Sequence, residues 1–240
     1  MRMKRIVFLM VSLCCGLWNA NAQTTYHYDV NCDGEVNISD AILIINHILG
    51  KLPPGEAIDL GLPSGTKWAS YNIGATKPEE IGNFFAWGES KVKEEYGNNY
   101  TYYDSVSETY QDLGSNISGT QFDTAHLLWG ANWRMPTWSD FKEMQSNCTK
   151  EWVIINGMYG SKFTSNINGN SIFFPAAGIR WYNEWMDYHE PGQEDRGFYW
   201  LAQEYASDIS RAYNLIIFRT SDGYTANLRN FGMLIRPVAK

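Results

Sequence analysis

Cysteine is scarce in this chain. There are four in 240 residues, and Cys14 and Cys15 fall in an N-terminal apolar stretch, so only Cys32 and Cys148 lie in the remainder of the chain. Two cysteines make no disulfide framework, and the fold has to rest on a packed core. Their spacing leaves both a Cys32–Cys148 bridge and two free thiols open. Positive charge is also scarce, with 19 Lys and Arg against 26 Asp and Glu. Arg2, Lys4 and Arg5 open the chain, which leaves 16 basic residues against 26 acidic ones beyond residue 22, a net of −10. Nucleic acids and anionic membranes are held by Lys and Arg, so neither is an expected partner. No apolar run past residue 22 approaches the roughly 20 residues a spanning helix needs. The four histidines (His27, His47, His126, His189) lack metal-ligand spacing. There is no Gly-x-Ser-x-Gly elbow and no phosphate-binding glycine loop.

What is present begins with an address. The basic start, the apolar stretch Ile6 to Leu17 and the small-residue run Ala20-Asn21-Ala22 read as a signal peptide over 1–22, cleaved after Ala22. Lipidation is the competing reading, because Cys14 and Cys15 close the apolar run. However, Val11-Ser12-Leu13 lacks the small residue expected just ahead of a lipidated cysteine. Either way the mature protein is expected to be secreted or at the cell surface, with no transmembrane helix.

Residues 29–40, Asp-Val-Asn-Cys-Asp-Gly-Glu-Val-Asn-Ile-Ser-Asp, fill every ligand position of a twelve-residue calcium loop. Asp29, Asn31, Asp33, Asn37 and Asp40 bring side-chain oxygens to positions 1, 3, 5, 9 and 12, and Glu35 at position 7 lends its carbonyl. Gly34 stands where the chain must turn through a conformation costly for any side chain. A hard cation needs six to eight converging oxygens, so Ca2+ is the expected ion. Ala41–Leu49 is an apolar helix stopped by Gly50, and Pro53-Pro54 forbids its continuation. An isolated loop-helix unit of this size cannot bury that helix by itself.

This pattern, with aspartate at position 12 and no helix before the loop, resembles one repeat of a dockerin. Dockerins are calcium-dependent modules that attach secreted proteins to cohesin domains in polysaccharide-degrading assemblies. The resemblance implies an EF-hand-like (F-hand) loop-helix module and a cohesin-like partner. Dockerins carry two repeats, and here the only later Asp-Gly pair, Asp222-Gly223, lacks surrounding ligands. Self-association through the lone repeat is therefore expected as an alternative to a cohesin-like partner. The boundaries read as signal peptide 1–22, calcium repeat 23–50, linker 51–56 and a large domain 57–240.

The large domain holds nine of the ten tryptophans. Strands are predicted at Thr66–Tyr71, Glu151–Ile155, Ser171–Phe174, Ala212–Phe218 and Met233–Val238. A helix is predicted at Trp138–Gln145, with Thr137 as N-cap and Asp140 as its box partner. The expected fold class is α+β, with mainly antiparallel strands, few helices and long loops. Seven ordered motifs carry a second resemblance: Asp59–Ala69, Asn72–Ala75, Gly82–Glu89, Leu128–Thr137, Phe174–Arg180, Gly197–Trp200 and Ile235–Val238. Together they look like the Fibrobacter succinogenes major paralogous domain of secreted Bacteroidetes proteins, a family with no agreed activity. Trp133-Arg-Met-Pro-Thr137 entering a helix also resembles the C-type-lectin-like fold shared with formylglycine-generating enzymes. That enzymatic activity needs a reactive cysteine pair, and residues 57–240 contain only Cys148.

Hydrolysis of glycosides needs two carboxylates about 5–10 Å apart across a cleft. The acids Glu184, Asp187, Glu190, Glu194 and Asp195 crowd one loop-like segment instead. The same segment carries Trp181, Tyr182, Trp185 and Tyr188, interleaved with Asn183 and Asp187. Flat rings beside polar groups suit glycan stacking or a protein interface, though rings of this kind also cap cores. Arg134 and Arg180 read as structural arginines pairing with acids such as Glu89. The expectation is a non-catalytic, calcium-binding exported protein that binds glycan or surface protein. The alternative is a component of a polysaccharide-degrading system, as assembly module or hydrolase accessory.

Overall fold

The structure, a computed structural model, describes residues 54–182 and 196–239 in full and the backbone of 184–186. The chain divides into two units, Met1–Pro53 and Pro54–Lys240, and every described residue belongs to the second. The signal peptide, the calcium ligands and the Ala41–Leu49 helix lie outside the described residues, as do Asp187 and Tyr188.

The second unit is built almost entirely from strands. In chain order these are β1 (Ala57–Ile58), β2 (Lys67–Ala69), β3 (Tyr103–Asp104), β4 (Thr109–Tyr110), β5 (Trp133–Arg134), β6 (Cys148–Ile155), β7 (Met158–Ser165) and β8 (Ser171–Pro175). They continue with β9 (Ile179–Trp181), β10 (Glu184–Met186), β11 (Gly197–Glu204), β12 (Arg211–Ile217), β13 (Asp222–Leu228) and β14 (Val238–Ala239). Two helices interrupt them, α1 (Thr124–Trp129) and α2 (Trp138–Asn147). The sheets run β1-β2-β14-β5, β6-β7-β8 and β11-β12-β13, with β3-β4 and β9-β10 as separate ribbons. Every pairing between named strands is antiparallel.

This architecture corrects the α+β, C-type-lectin-like expectation. Several small antiparallel sheets with helices of only 6 and 10 residues make a mainly β unit. The physical reason is periodicity. Among the described residues only 138–147 holds a helix longer than two turns, whereas 148–165 and 197–228 alternate faces residue by residue in long antiparallel pairings. The expected strand at Met233–Val238 is instead a run of single bridges, Phe85 to Met233 and Tyr199 to Leu234, ending in β14.

Alternation along a few chain segments divides the interior into two cores. Tyr199 and Leu201 of β11 enter a cluster with Trp68, Phe141, Phe163 and Phe174. Their neighbours Phe198, Trp200 and Ala202 enter a second cluster with Phe85, Trp87, Trp133 and Met135. Leu234 joins the first and Met233 and Ile235 the second, so these strands form a layer buried on both faces. That is why 197–202 reads as an unbroken apolar run rather than an alternating one.

Helix α2 forms as its cap predicts. Thr137 Oγ1 accepts from the Asp140 amide at 3.3 Å, and Asp140 accepts from the Thr137 amide at 2.7 Å. Asp140 also takes both guanidinium arms of Arg134, at 2.7 and 2.8 Å. The expected Arg134–Glu89 pairing is therefore replaced. Glu89 meets Lys93 instead.

Candidate functional site

In the ribbon β9-β10 Trp181 pairs with Glu184 and Arg180 with Trp185, so the register leaves two residues between the strands. A two-residue hairpin loop takes φ > 0 at its first position in a type I′ turn, and Tyr182 sits at φ 53°. That conformation is costly for a bulky side chain and marks the position as held by its surroundings. The holding bonds are visible. Tyr182 N–H donates to Tyr96 O at 2.7 Å and Tyr96 N–H to Tyr182 O at 3.3 Å. On the other side Arg180 and Gly232 exchange backbone bonds of 2.9 and 2.8 Å.

So fixed, Trp181 and Tyr182 stack with centroids 5.3 Å apart and planes 29° apart. Phe231 meets Trp181 at 5.1 Å. Gly97, at φ 116°, brings its backbone against both rings where a side chain would touch them. Asn230 pins that glycine by donating from Nδ2 to Gly97 O at 2.8 Å. The two rings stay 36% and 42% exposed, among the few large apolar side chains that do. Of the expected ligand-binding rings, Trp181 and Tyr182 stand side by side, whereas Trp185 is described by backbone register alone. Phe231, Gly97 and Asn230 were not legible in the sequence, because they reach the hairpin from distant segments.

Other surfaces suit a ligand less well. Trp138, Tyr224, Tyr213 and Tyr205 form a strip, but successive rings are tilted by 46°, 55° and 85° and present no common face. A recess beside β3-β4, lined by Tyr102, Tyr103 and Tyr110, measures about 200 Å³, below the roughly 300–1,000 Å³ of small-molecule sites. Among the described residues no group of His, Cys, Asp and Glu converges as a metal site. Asp222, of the later Asp-Gly pair, opens β13 and bonds Lys150 at 2.6 Å. Cys148 is a free, buried thiol that burial pushes up to about 11, far from the thiolate a reactive cysteine needs.

The expected calcium ligands lie outside the described residues and are known by sequence alone. Asp29, Asn31, Asp33, Asn37 and Asp40 with the Glu35 carbonyl are an all-oxygen donor set, which fits a hard divalent cation and disfavours the soft metals that thiolates select. Among the described residues no helix is long and apolar enough to cross a membrane.

Comparison with known proteins adds one family. Residues 27–66 match the Dockerin type I domain. The matched interval runs past the linker into the second unit, where 54–66 forms β1 and the Leu62–Gly65 turn, closed by a 2.8 Å bond. Ser165 Oγ fastens this stretch by donating to Leu60 O at 2.6 Å, and Asn168 Nδ2 donates to Asp59 O at 2.8 Å. Residues 54–66 thus belong to the second unit, with Ala57–Ile58 in a strand and the rest as turn and irregular chain. No curated protein and no solved structure matches the chain. Dockerin type I domains bind calcium and cohesins, are non-catalytic assembly modules of polysaccharide-degrading systems, and occur in proteins that are typically extracellular or on the cell surface. Calcium is the ion of this chain's dockerin-type segment.

Proposed function

We propose that this is an exported protein held in place by a calcium-loaded dockerin-type segment, which carries residues 57–240 as a non-catalytic recognition unit for glycan or protein. One observation carries the reading: the complete oxygen set of residues 29–40 lies inside the interval that matches the Dockerin type I domain. Asp29, Asn31, Asp33, Asn37 and Asp40, with the Glu35 carbonyl, hold the ion and order the start of the Ile42–Leu49 helix. The 1–22 signal supports export. The seven ordered motifs support membership of 57–240 in the Fibrobacter succinogenes major paralogous family, and the Trp181–Tyr182 pair supplies the recognition surface.

A second reading makes attachment itself the function, with the lone repeat pairing with a cohesin-like partner or with a second copy. It is favoured by the single complete calcium loop in this sequence, where a dockerin has two. Light scattering of the full chain, with calcium and with chelator, decides between them. Calcium-dependent dimers abolished by Asp29→Ala support the second reading. A calcium-loaded monomer that binds glycan or protein through residues 57–240 supports the first, and a chain that binds no calcium contradicts both.

A further inference from the structure

We propose that the Trp181–Tyr182 platform takes a uronic-acid residue of an acidic glycan, with the sugar ring on the exposed aromatic surface and its carboxylate on Arg180. This rests on the reading of residues 57–240 as a recognition unit and names the ligand class of that same surface.

Arg180 differs from Arg134, Arg211, Arg229 and Arg236 in its partners. Arg134, Arg211 and Arg229 each meet a carboxylate, at 2.7, 3.1 and 3.4 Å. Arg236 is saturated by Asn72 Oδ1, Ala69 O and Phe173 O at 2.7–3.0 Å. Arg180 has one bond from Nη2 to the Glu94 carbonyl, at 3.3 Å, beyond the usual 2.7–3.2 Å range. Its Nε is buried without a partner, and no carboxylate among the described residues lies within ion-pairing distance. Its guanidinium rests 5.9 Å over Tyr96, the residue whose backbone clasps Tyr182.

A half-buried guanidinium with no counter-ion among the described residues has donors to spare, and a planar carboxylate is the group its fork fits. Arg180 directly precedes the stacked pair in sequence, so charge and ring belong to one hairpin. Among the described residues no ring other than Trp181 meets Tyr182, which leaves aromatic surface for the C–H face of a pyranose. A uronate offers both halves, an apolar ring face and a carboxylate on the ring carbon's substituent. The net charge of −7 supplies no long-range attraction for an anion, so affinity has to come from these contacts rather than from steering.

The test titrates the full calcium-loaded chain calorimetrically with trigalacturonate and with its fully methyl-esterified form, which keeps the rings and removes the charge. Trigalacturonate is expected to bind at least tenfold more tightly than the ester. Arg180→Gln should erase that preference. Tyr182→Gly should weaken both ligands at least tenfold with an unchanged or higher Tm, because glycine tolerates φ 53°. Equal affinity for acid and ester overturns the ligand class. Unchanged binding in Tyr182→Gly overturns the site, and Arg180→Gln that lowers Tm while keeping the preference makes Arg180 a purely structural residue. If neither sugar binds while calcium-dependent capture persists, this inference fails and the attachment reading stands. Loss of calcium-dependent capture counts against the attachment reading alone.

Discussion

Two fully buried arginines do at single residues what disulfides do in smaller folds. Arg229 reaches Tyr100 Oη at 3.0 Å, Ile209 O at 2.8 Å and Gln111 O at 3.1 Å, and lies 4.8 Å over Trp87. It ties segments from both halves of the second unit around one charge. Removing it strands those acceptors and leaves Glu204 without its counter-ion, so Arg229→Ala is expected to cost about 3–5 kcal/mol in urea denaturation at pH 7. A loss under about 1 kcal/mol would mean that the network is dispensable. Asp140 gives a pH signature. Burial pushes its carboxyl up, but the bonds from Arg134 and Thr137 outweigh this and hold it below the ordinary aspartate value of 3.8. A depressed folded pKa contributes stability that is present above the ordinary value and lost as pH falls through the folded one. The denaturation midpoint of the wild type should therefore fall more steeply than that of Asp140→Asn on acidification below about pH 4. At this scale the Thr137–Asp140 box was legible because it is a local pattern. The partner of Arg134 was not, since a charge in sequence does not reveal which of many acids the fold brings near it.

Elements were legible where the determinant is short. The turn Asn156-Gly157 between two strand-like runs announces a hairpin, and β6-β7 forms it with Asn156 at φ 49° and Gly157 at φ 85°. Nothing lies within 4 Å of the position a Gly157 side chain would take. Gly157→Ala therefore tests backbone strain alone and should lower stability by about 1 kcal/mol, read as a shift in Tm. An unchanged Tm would show that the turn relaxes without cost. The fold class was misread because its determinants are not local. The strands that divide the two cores, such as β11, are apolar on both faces, and an apolar run alone does not say which sheet it joins. The same holds for the platform. Trp181 and Tyr182 were visible among the rings of the 181–188 segment, but Phe231, Gly97 and Asn230, which set their geometry, come from elsewhere in the chain.

At the scale of the whole molecule, chemistry is divided between the two units. The first carries the proposed donor set for calcium, and the second holds exposed aromatic surface on a scaffold with two cores. Calcium was legible because twelve consecutive residues specify it, whereas a ligand for the second unit requires segments the sequence does not align. Bound calcium should also stabilise the segment that holds it. A dissociation constant near 10 µM with external calcium near 1 mM corresponds to about 3 kcal/mol. Chelation should therefore lower the Tm of a transition assigned to the N-terminal unit, and an unchanged profile would deny that linkage. The most direct test of the calcium-held attachment account is a calorimetric calcium titration of the full chain and of Asp29→Ala. The account predicts about one ion bound per chain at micromolar affinity, lost in Asp29→Ala. No calcium bound, or binding indifferent to that substitution, would contradict it.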